Sequence, residues 1–522
     1  MAVIFANGRV YLGPGRSAEA LVAKQGRVAA VGSLAALRKD HPEARPIDLR
    51  GGLLTPGFTD SHCHFLWWAV QATRLDLSET PSVDAALAKI DSHARSLRED
   101  AWILGGRFDK NLWGRWPNRE ELDRVSHGHP AVLRSRDGHS RWVNSRALAV
   151  AGVTRDTPTP AGGEIERDGS GQPTGVLREN AIRLLDAATP QPTREEVRRA
   201  LRWGQTEAVT RGITAIHDLD NPMPDAHRGF QELLDVGALH LRVHMGIPHA
   251  RLDAALELGI KTGMGNEWLQ FSNLKIFTDG ALGSQTAALE DPYEGSDYRG
   301  VLTIDREQLR ADVRRAADGG IAVAIHAIGD RAVRIALDAI ESAGGSRGRL
   351  RHRLEHVQLV RDEDVARFAR LGVIASMQPI HATSDRDIAD QHWGSRCARA
   401  YAWRAFRDAG VTLAFGSDAP VEPIDPLLGM YAAIARKRPA DVRPWYPEQR
   451  LTLDDALAGY TSGPAFAVAR EAELGALDVG KWCDAVVLAR DIFHEPAEEL
   501  LDASLVRATI TGGEVRYDGG LG

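Results

Sequence analysis

His62-Cys63-His64 is the strongest local arrangement of metal-binding side chains in the chain. On an extended backbone, residues i and i+2 face the same side, so both imidazoles reach one ion at about 2.0–2.1 Å. Cys63 then faces the opposite way and reads as a small buried apolar residue. Alone the pair says little, because the chain holds 18 histidines. Its company says more. Lys275, His326, His356 and Asp418 stand at the ends of short apolar runs, as do His217 and His244. Imidazole and carboxylate are ordinary ligands for zinc and related divalent ions. No motif claims His217 and His244, which read as supporting residues.

The elements that must position these groups repeat one unit: helix, glycine, apolar strand. Thr193-Arg-Glu-Glu196 is a capping box, and Val197, Ala200, Leu201 and Ala208 follow at helical spacing. Gly212 suits the left-handed position past a helix end, and Ile213–Ile216 then runs into His217. The unit recurs before Ile321–Ile325 and His326, before Val373–Met377 and Gln378, and before Val411–Phe415 and Asp418. Strands apolar on both faces that alternate with helices predict a parallel sheet. Leu241–His244, Leu274–Phe277, Arg353–His356 and the segment before His62 bring the strands to eight, the number of a (β/α)8 TIM barrel in the α/β class. In such barrels the carboxyl ends of the strands carry the active site.

Both chain ends differ from this pattern. Residues 1–52 and 466–522 are short apolar runs broken by Asn7-Gly8, Gly13-Pro-Gly15 and Gly512-Gly513, which are hairpin signals. Together they predict a small β-sandwich domain. Residues 53–64 and 193–465 predict the barrel. Residues 65–192 break the rhythm and hold Trp67, Trp68, Trp102, Trp113, Trp116 and Trp142, six of the 12 tryptophans. They predict an insertion over the barrel mouth, after its first strand.

Composition bounds the function. Of 522 residues, 43% are hydrophobic and 26% charged, which excludes a disordered chain. The net charge of −7 gives no electrostatic case for nucleic acid or an anionic membrane. Three cysteines are too few for a disulfide framework. The first residues resemble no secretory leader, and no stretch approaches the roughly 20 apolar residues of a membrane span. A cytoplasmic location is expected. The oligomeric state is left open.

Leu53-Leu-Thr-Pro-Gly-Phe-Thr-Asp-Ser-His-Cys-His64 resembles the strand-1 signature of the amidohydrolase superfamily. Leu354-Glu-His356, Phe415-Gly-Ser-Asp-Ala-Pro420 and Leu474–Leu488 are similar to its later motifs. Lys275-Ile-Phe-Thr-Asp-Gly-Ala-Leu-Gly-Ser284 and Asp137-Gly-His-Ser-Arg-Trp-Val-Asn-Ser145 resemble the amidohydrolase-3 branch, which includes N-substituted formamide deformylases. The resemblance implies a hydrolase that cuts a linear amide or formamide C–N bond with metal-activated hydroxide. It implies His62 and His64 on one ion, His326 and His356 on a second, and Asp418 as ligand and proton carrier. Lys275 stands where several members carry a carbamylated lysine bridging two ions. Two zinc ions are the expected cofactor, though manganese, iron or cobalt suit the same donors.

Substrate contacts are expected from Asp279, Gly280 and Ser284 after the fourth strand and from Gln378 after the seventh. Arg107, Asp109 and His139 are expected to reach over the mouth from the insertion. Two enzymatic alternatives stand beside this reading: a mononuclear deaminase and a cyclic-amide hydrolase of the same superfamily. Such deaminases place a glutamate three residues after the fifth-strand histidine, where this chain has Gly329 followed by Asp330. A non-catalytic ligand-binding barrel is the alternative from another class.

Overall fold

The computed structural model describes residues 2–219 and 226–521. Eight parallel strands form one sheet in chain order: β1 Phe58–Cys63, β2 Ile213–Asp218, β3 Arg242–Pro248, β4 Leu269–Phe277, β5 Ala322–Ala327, β6 Arg353–His356, β7 Ile374–Met377 and β8 Leu413–Phe415. Each apolar run expected as a barrel strand is one. The sheet curls until β8 meets β1. There Ser417 donates its N–H to Asp60 Oδ1 at 3.0 Å and its hydroxyl to Asp60 Oδ2 at 2.5 Å, and Asp418 donates its N–H to the His62 carbonyl at 2.6 Å. Gly416 is needed at this seam, because a Cβ there would collide with the His62 backbone. The result is a (β/α)8 barrel with auxiliary sheets from the terminal strands.

The helix–glycine–strand units fold as their local chemistry dictates. The Thr193–Glu196 capping box forms reciprocally and opens the helix Arg194–Thr210. Gly212 takes φ 78°, a left-handed value that a side chain would oppose. The residues named at helical spacing, Val197, Ala200, Leu201 and Ala208, are all buried against the barrel.

The terminal segments build two sheets. One has the order Arg27–Gly32, Ala20–Lys24, Ala2–Ala6, Arg45–Asp48. The other runs Glu514–Asp518, Val506–Thr511, Ala485–Leu488, Leu53–Pro56, Arg9–Gly13, Arg16–Ala18. Leu53–Pro56 therefore pairs with Ala485–Leu488 in the terminal sheet, and the barrel begins only at Phe58. Residues 65–192 are also more regular than their sequence suggests. They hold a six-stranded sheet, ordered Gly163–Arg167, Pro173–Glu179, Ser140–Val143, Ala131–Ser135, Ile103–Phe108, Leu75–Asp76. Trp142 is fully buried in its core, edge-on to Phe108 and Trp113 at 6.0 Å.

One buried ion pair ties the barrel to the terminal sheet. Arg242, at the start of β3, grips Asp484 with Nε–Oδ2 at 2.5 Å and Nη2–Oδ1 at 3.0 Å, and its guanidinium lies between Trp268 and Trp482. Breaking a buried pair strands the surviving charge. Asp484→Ala is expected to destabilise the protein by about 3–5 kcal/mol, read as an earlier urea midpoint, and a loss under about 1 kcal/mol would contradict this account.

Candidate metal centre at the barrel mouth

The strand ends converge as the barrel geometry requires. His62, His64, Lys275, His326, His356 and Asp418 are all buried around one point. His64 Nε2 lies 3.1 Å and His62 Nε2 3.4 Å from Asp418 Oδ1. Lys275 Nζ lies 3.3 Å from His62 Nε2. Tetrahedral bonds of about 2.05 Å place ligand atoms roughly 3.3 Å apart, so these spacings fit a shared ion. His62, His64 and Asp418 form one compact donor group. A second consists of His356, His381 and Asp418. His326 belongs to neither group but packs beside His356, ring centroids 4.6 Å apart.

His62 is oriented from behind. Its Nδ1 lies 2.6 Å from Glu355 Oε2, which fixes the proton on Nδ1 and turns the Nε2 lone pair toward Asp418 and Lys275. Arg353 in turn holds Glu355 through Nε–Oε1 at 2.5 Å, and it contacts Ser61 O, Ser376 Oγ and His217 Nδ1. Burial opposes the Glu355 charge, but Arg353 and His62 outweigh it and hold the carboxyl well below its usual range. Burial, then the Lys275 charge, pushes His62 down to about 3. His326 and His356 are also lowered, chiefly by burial. These rings are therefore neutral at pH 7, the state a metal requires. Burial also works against the Asp418 charge, yet the hydrogen bonds from His381 and His64 keep it ionised. The backbone accepts left-handed values at two of these positions, φ 72° at His356 and φ 58° at Asp418. Such strain clusters at functional sites.

Two buried atoms point to an absent partner. Among the described residues, His326 Nε2 and His356 Nδ1 have no hydrogen-bond partner. The His326 Nδ1 edge is held by Asp279 Oδ1 at 3.1 Å. The donor set, the neutral rings and these open nitrogens fit a divalent ion.

The expected substrate residues divide. Asp279 accepts from Ile328, Ala288 and Gly329 N–H groups as well as His326. Its oxygens hold these donors and orient His326, and the residue lines the larger lobe. Gly280 has no room for a Cβ beside Thr286 and Glu179, and Ser284 bonds Thr286 Oγ1 at 2.9 Å. Both support the loop after β4. Gln378 Nε2 lies 3.2 Å from His62 Nδ1; since Glu355 fixes that nitrogen as a donor, the Gln378 amide oxygen belongs toward it. Arg107 pairs with Asp76 at 3.5 Å, away from the residues that line the cavity. Asp109 does line the cavity, and its Oδ1 caps the turn at Asn111. His139 reaches over His326, ring centroids 5.4 Å apart.

The cavity has two lobes that share Asp137, His139, His326, His356, Asp418 and Val421. The smaller, about 70 Å³, has apolar walls from Phe108, Trp116, Leu282 and Ile388. The larger, about 690 Å³, reaches His64, Trp67 and Lys275. Burial would lower the His139 pKa, but Glu179 at 2.9 Å more than offsets it and raises the ring to about 9. His139 is thus an imidazolium at pH 7. His217 supports Arg353, and its ring stands edge-on to His244 at 5.0 Å. Cys63 Sγ turns away to the His217 carbonyl, and burial raises its thiol pKa.

Sequence reasoning missed His381 and Glu422. His381 Nε2 lies 3.4 Å from Asp418 Oδ2 and its Nδ1 3.5 Å from Glu422 Oε1. Burial opposes its charge, but Asp418 and Glu422 raise it to about 10. Glu422 also receives Arg136 and Ser384, each at 2.5 Å, which ties the insertion to the barrel above the site. The available signal was spacing: His381 lies three residues past Gln378, on the first helical turn after β7.

With fold and site described, the comparisons agree. A model of the amidohydrolase family matches residues 45–517. YtcJ of Bacillus subtilis, a protein named as an amidohydrolase, is 33% identical over 99% of this chain and 100% of its own. The N-substituted formamide deformylase of Arthrobacter pascens is 29% identical over 99% of this chain and 98% of its own. The solved structure of an uncharacterized metal-dependent hydrolase from Pyrococcus horikoshii superposes with a TM-score of 0.78 at 27% identity, covering 95% of this chain and 99% of that one. The chain belongs to the amidohydrolase family and is a metal-dependent hydrolase. No helix among the described residues is long and apolar enough to cross a membrane.

Removing an outer carboxylate that orients a ligating histidine typically costs 10–100-fold in metal affinity. Glu355→Gln is therefore expected to weaken zinc binding by about 10–100-fold in a chelator competition, and unchanged affinity would remove Glu355 from the centre.

Proposed function

We propose that the protein hydrolyses the C–N bond of a linear amide or N-substituted formamide. The observation that carries this reading is Asp418, a buried carboxylate shared by two histidine groups and lining both lobes of the cavity. His62, His64 and Asp418 would hold one divalent ion, and His356 with His326 a second. Zinc suits these donors. A bound ion would lower the pKa of water and polarise the scissile carbonyl.

The chain's own groups supply the rest. Asp418, ionised and aimed into the cavity, accepts the proton of the attacking water and returns it to the leaving nitrogen, a transfer that amide cleavage requires. His139, held protonated by Glu179, offers a hydrogen bond across the mouth from His326. Lys275, buried beside His62, would be the residue to carry a carbamate as a further metal ligand. The smaller lobe, where Phe108 and Trp116 stand among charged and polar groups such as Lys110 and Arg136, would take the substituent on one side of the amide. Gly329 disfavours the deaminase alternative: it packs on the Ala288 carbonyl with no space for a side chain. Asp330 does not substitute for the missing glutamate, because it is spent on the Glu290 and Arg331 N–H groups.

The direct test is a panel of N-formyl and N-acyl amines given to protein reconstituted with zinc, manganese or cobalt. Release of amine and acid in equal amounts is expected, lost with a chelator and restored by metal. Asp418→Asn is expected to lower kcat by about 10²–10⁴-fold, the usual weight of general acid–base catalysis. Ammonia release from aminopurines without amide cleavage would overturn the reading in favour of deamination.

A further inference from the structure

We propose that the insertion side of the larger lobe is a carboxylate-binding subsite built from Arg134, Arg141 and Arg183, so that the substrate is an amide whose substituent ends in a carboxylate. This rests on the amide reading above. The insertion sheet pairs Arg134 directly opposite Arg141 across two antiparallel strands. Both side chains line the larger lobe, with Arg183 beside them. Like charges placed directly opposite on one sheet face repel, so the arrangement needs an anion between or above them. Other arginines of this protein close onto carboxylates, as Arg136 does on Glu422 and Arg353 on Glu355.

Arg141 does not. Its Nη1 reaches only the carbonyls of Gly138 and Ser140, and no ion pair joins Arg141 or Arg183 to a carboxylate among the described residues. Burial pushes the Arg141 pKa down to about 10, against the attraction of Asp186, Asp137 and Glu179. Three arginines and the His139 imidazolium face Asp186, Asp137 and Glu179, which leaves one positive charge over.

Two further observations mark a built site. The Arg134 guanidinium lies flat on Trp67, 3.3 Å from the ring centroid, which fixes its fork. Trp67 is 6% exposed and lines the same lobe, and its indole N–H has no partner among the described residues. Trp67 also adjoins His64, ring centroids 5.5 Å apart. His139, just before the strand, and Arg141 within it both line the lobe, so a substrate near His326 and a carboxylate on Arg141 share one cavity. A planar carboxylate matches guanidinium geometry.

The test compares N-formyl ω-amino acids, from glycine to 6-aminohexanoate, with the corresponding neutral N-formylalkylamines, using the metal-loaded enzyme. One chain length is expected to exceed its neutral counterpart by about 50-fold in kcat/KM, the weight of a charged hydrogen-bonded pair. In Arg141→Gln that ratio should collapse to about 3-fold or less, and Arg141→Lys should restore part of it. Hexanoate binding, followed by calorimetry, gives a readout without turnover and should weaken in Arg141→Gln. Hydrolysis of neutral formamides with no preference for the acids, or a preference unchanged in Arg141→Gln, would overturn the subsite and leave the amide reading intact. Hexanoate binding that depends on Arg141, with no formamide hydrolysed, would keep the subsite and overturn the amide reading.

Discussion

The site depends on one constraint, the desolvation of Asp418 and its ring of histidines. Six donor side chains are removed from water at the barrel mouth, and burial drives His62, His326 and His356 neutral while Asp418 stays charged. A buried carboxylate beside neutral imidazoles is costly unless cations join it. Below it the charges already balance: Arg353 cancels Glu355, and Glu355 spends its second oxygen on His62. The demand for positive charge is therefore focused on the space above Asp418. Lys275 and His381 meet part of it from opposite sides, and a divalent ion would meet the rest.

The remaining architecture serves that pocket. The barrel delivers the donors because eight strand ends converge on one face, and the β1–β8 seam locks His62 against Asp418 through the backbone itself. The insertion brings a second set of groups from above. Its Arg136 anchors on Glu422, its Glu179 reaches Thr286 at 2.6 Å in the loop after β4, and its His139 covers His326. The barrel floor thus carries the donor groups, and the insertion covers them from above.

The barrel was legible because its strands are buried on both faces and half of them follow a clear helix and glycine, a pattern that survives without knowledge of partners. The histidines and the aspartate at strand ends were legible for the same reason. The insertion was not. Its strands pair across long gaps, Ser140–Val143 with Pro173–Glu179 for example, and its Gly105 and Gly106 obscure the apolar pattern. Leu53–Pro56 and Phe58–Cys63 read as one run, although the chain passes from one sheet to another at Gly57. His381 escaped notice because it lies on a helical turn rather than at a strand end. That four donors occupy the Asp279 carboxylate is equally invisible locally, because they come from residues 288, 326, 328 and 329. The pairing of Arg134 with Arg141 is a matter of cross-strand register, which a single sequence does not display.

The central claim is that the Asp418 cluster is a metal centre. Its most direct test is anomalous diffraction at the zinc edge from crystals of zinc-reconstituted protein. The account predicts a peak bounded by His62, His64 and Asp418, with any second peak against His356. A zinc-loaded crystal with no peak at Asp418, or with metal held only elsewhere, would contradict it.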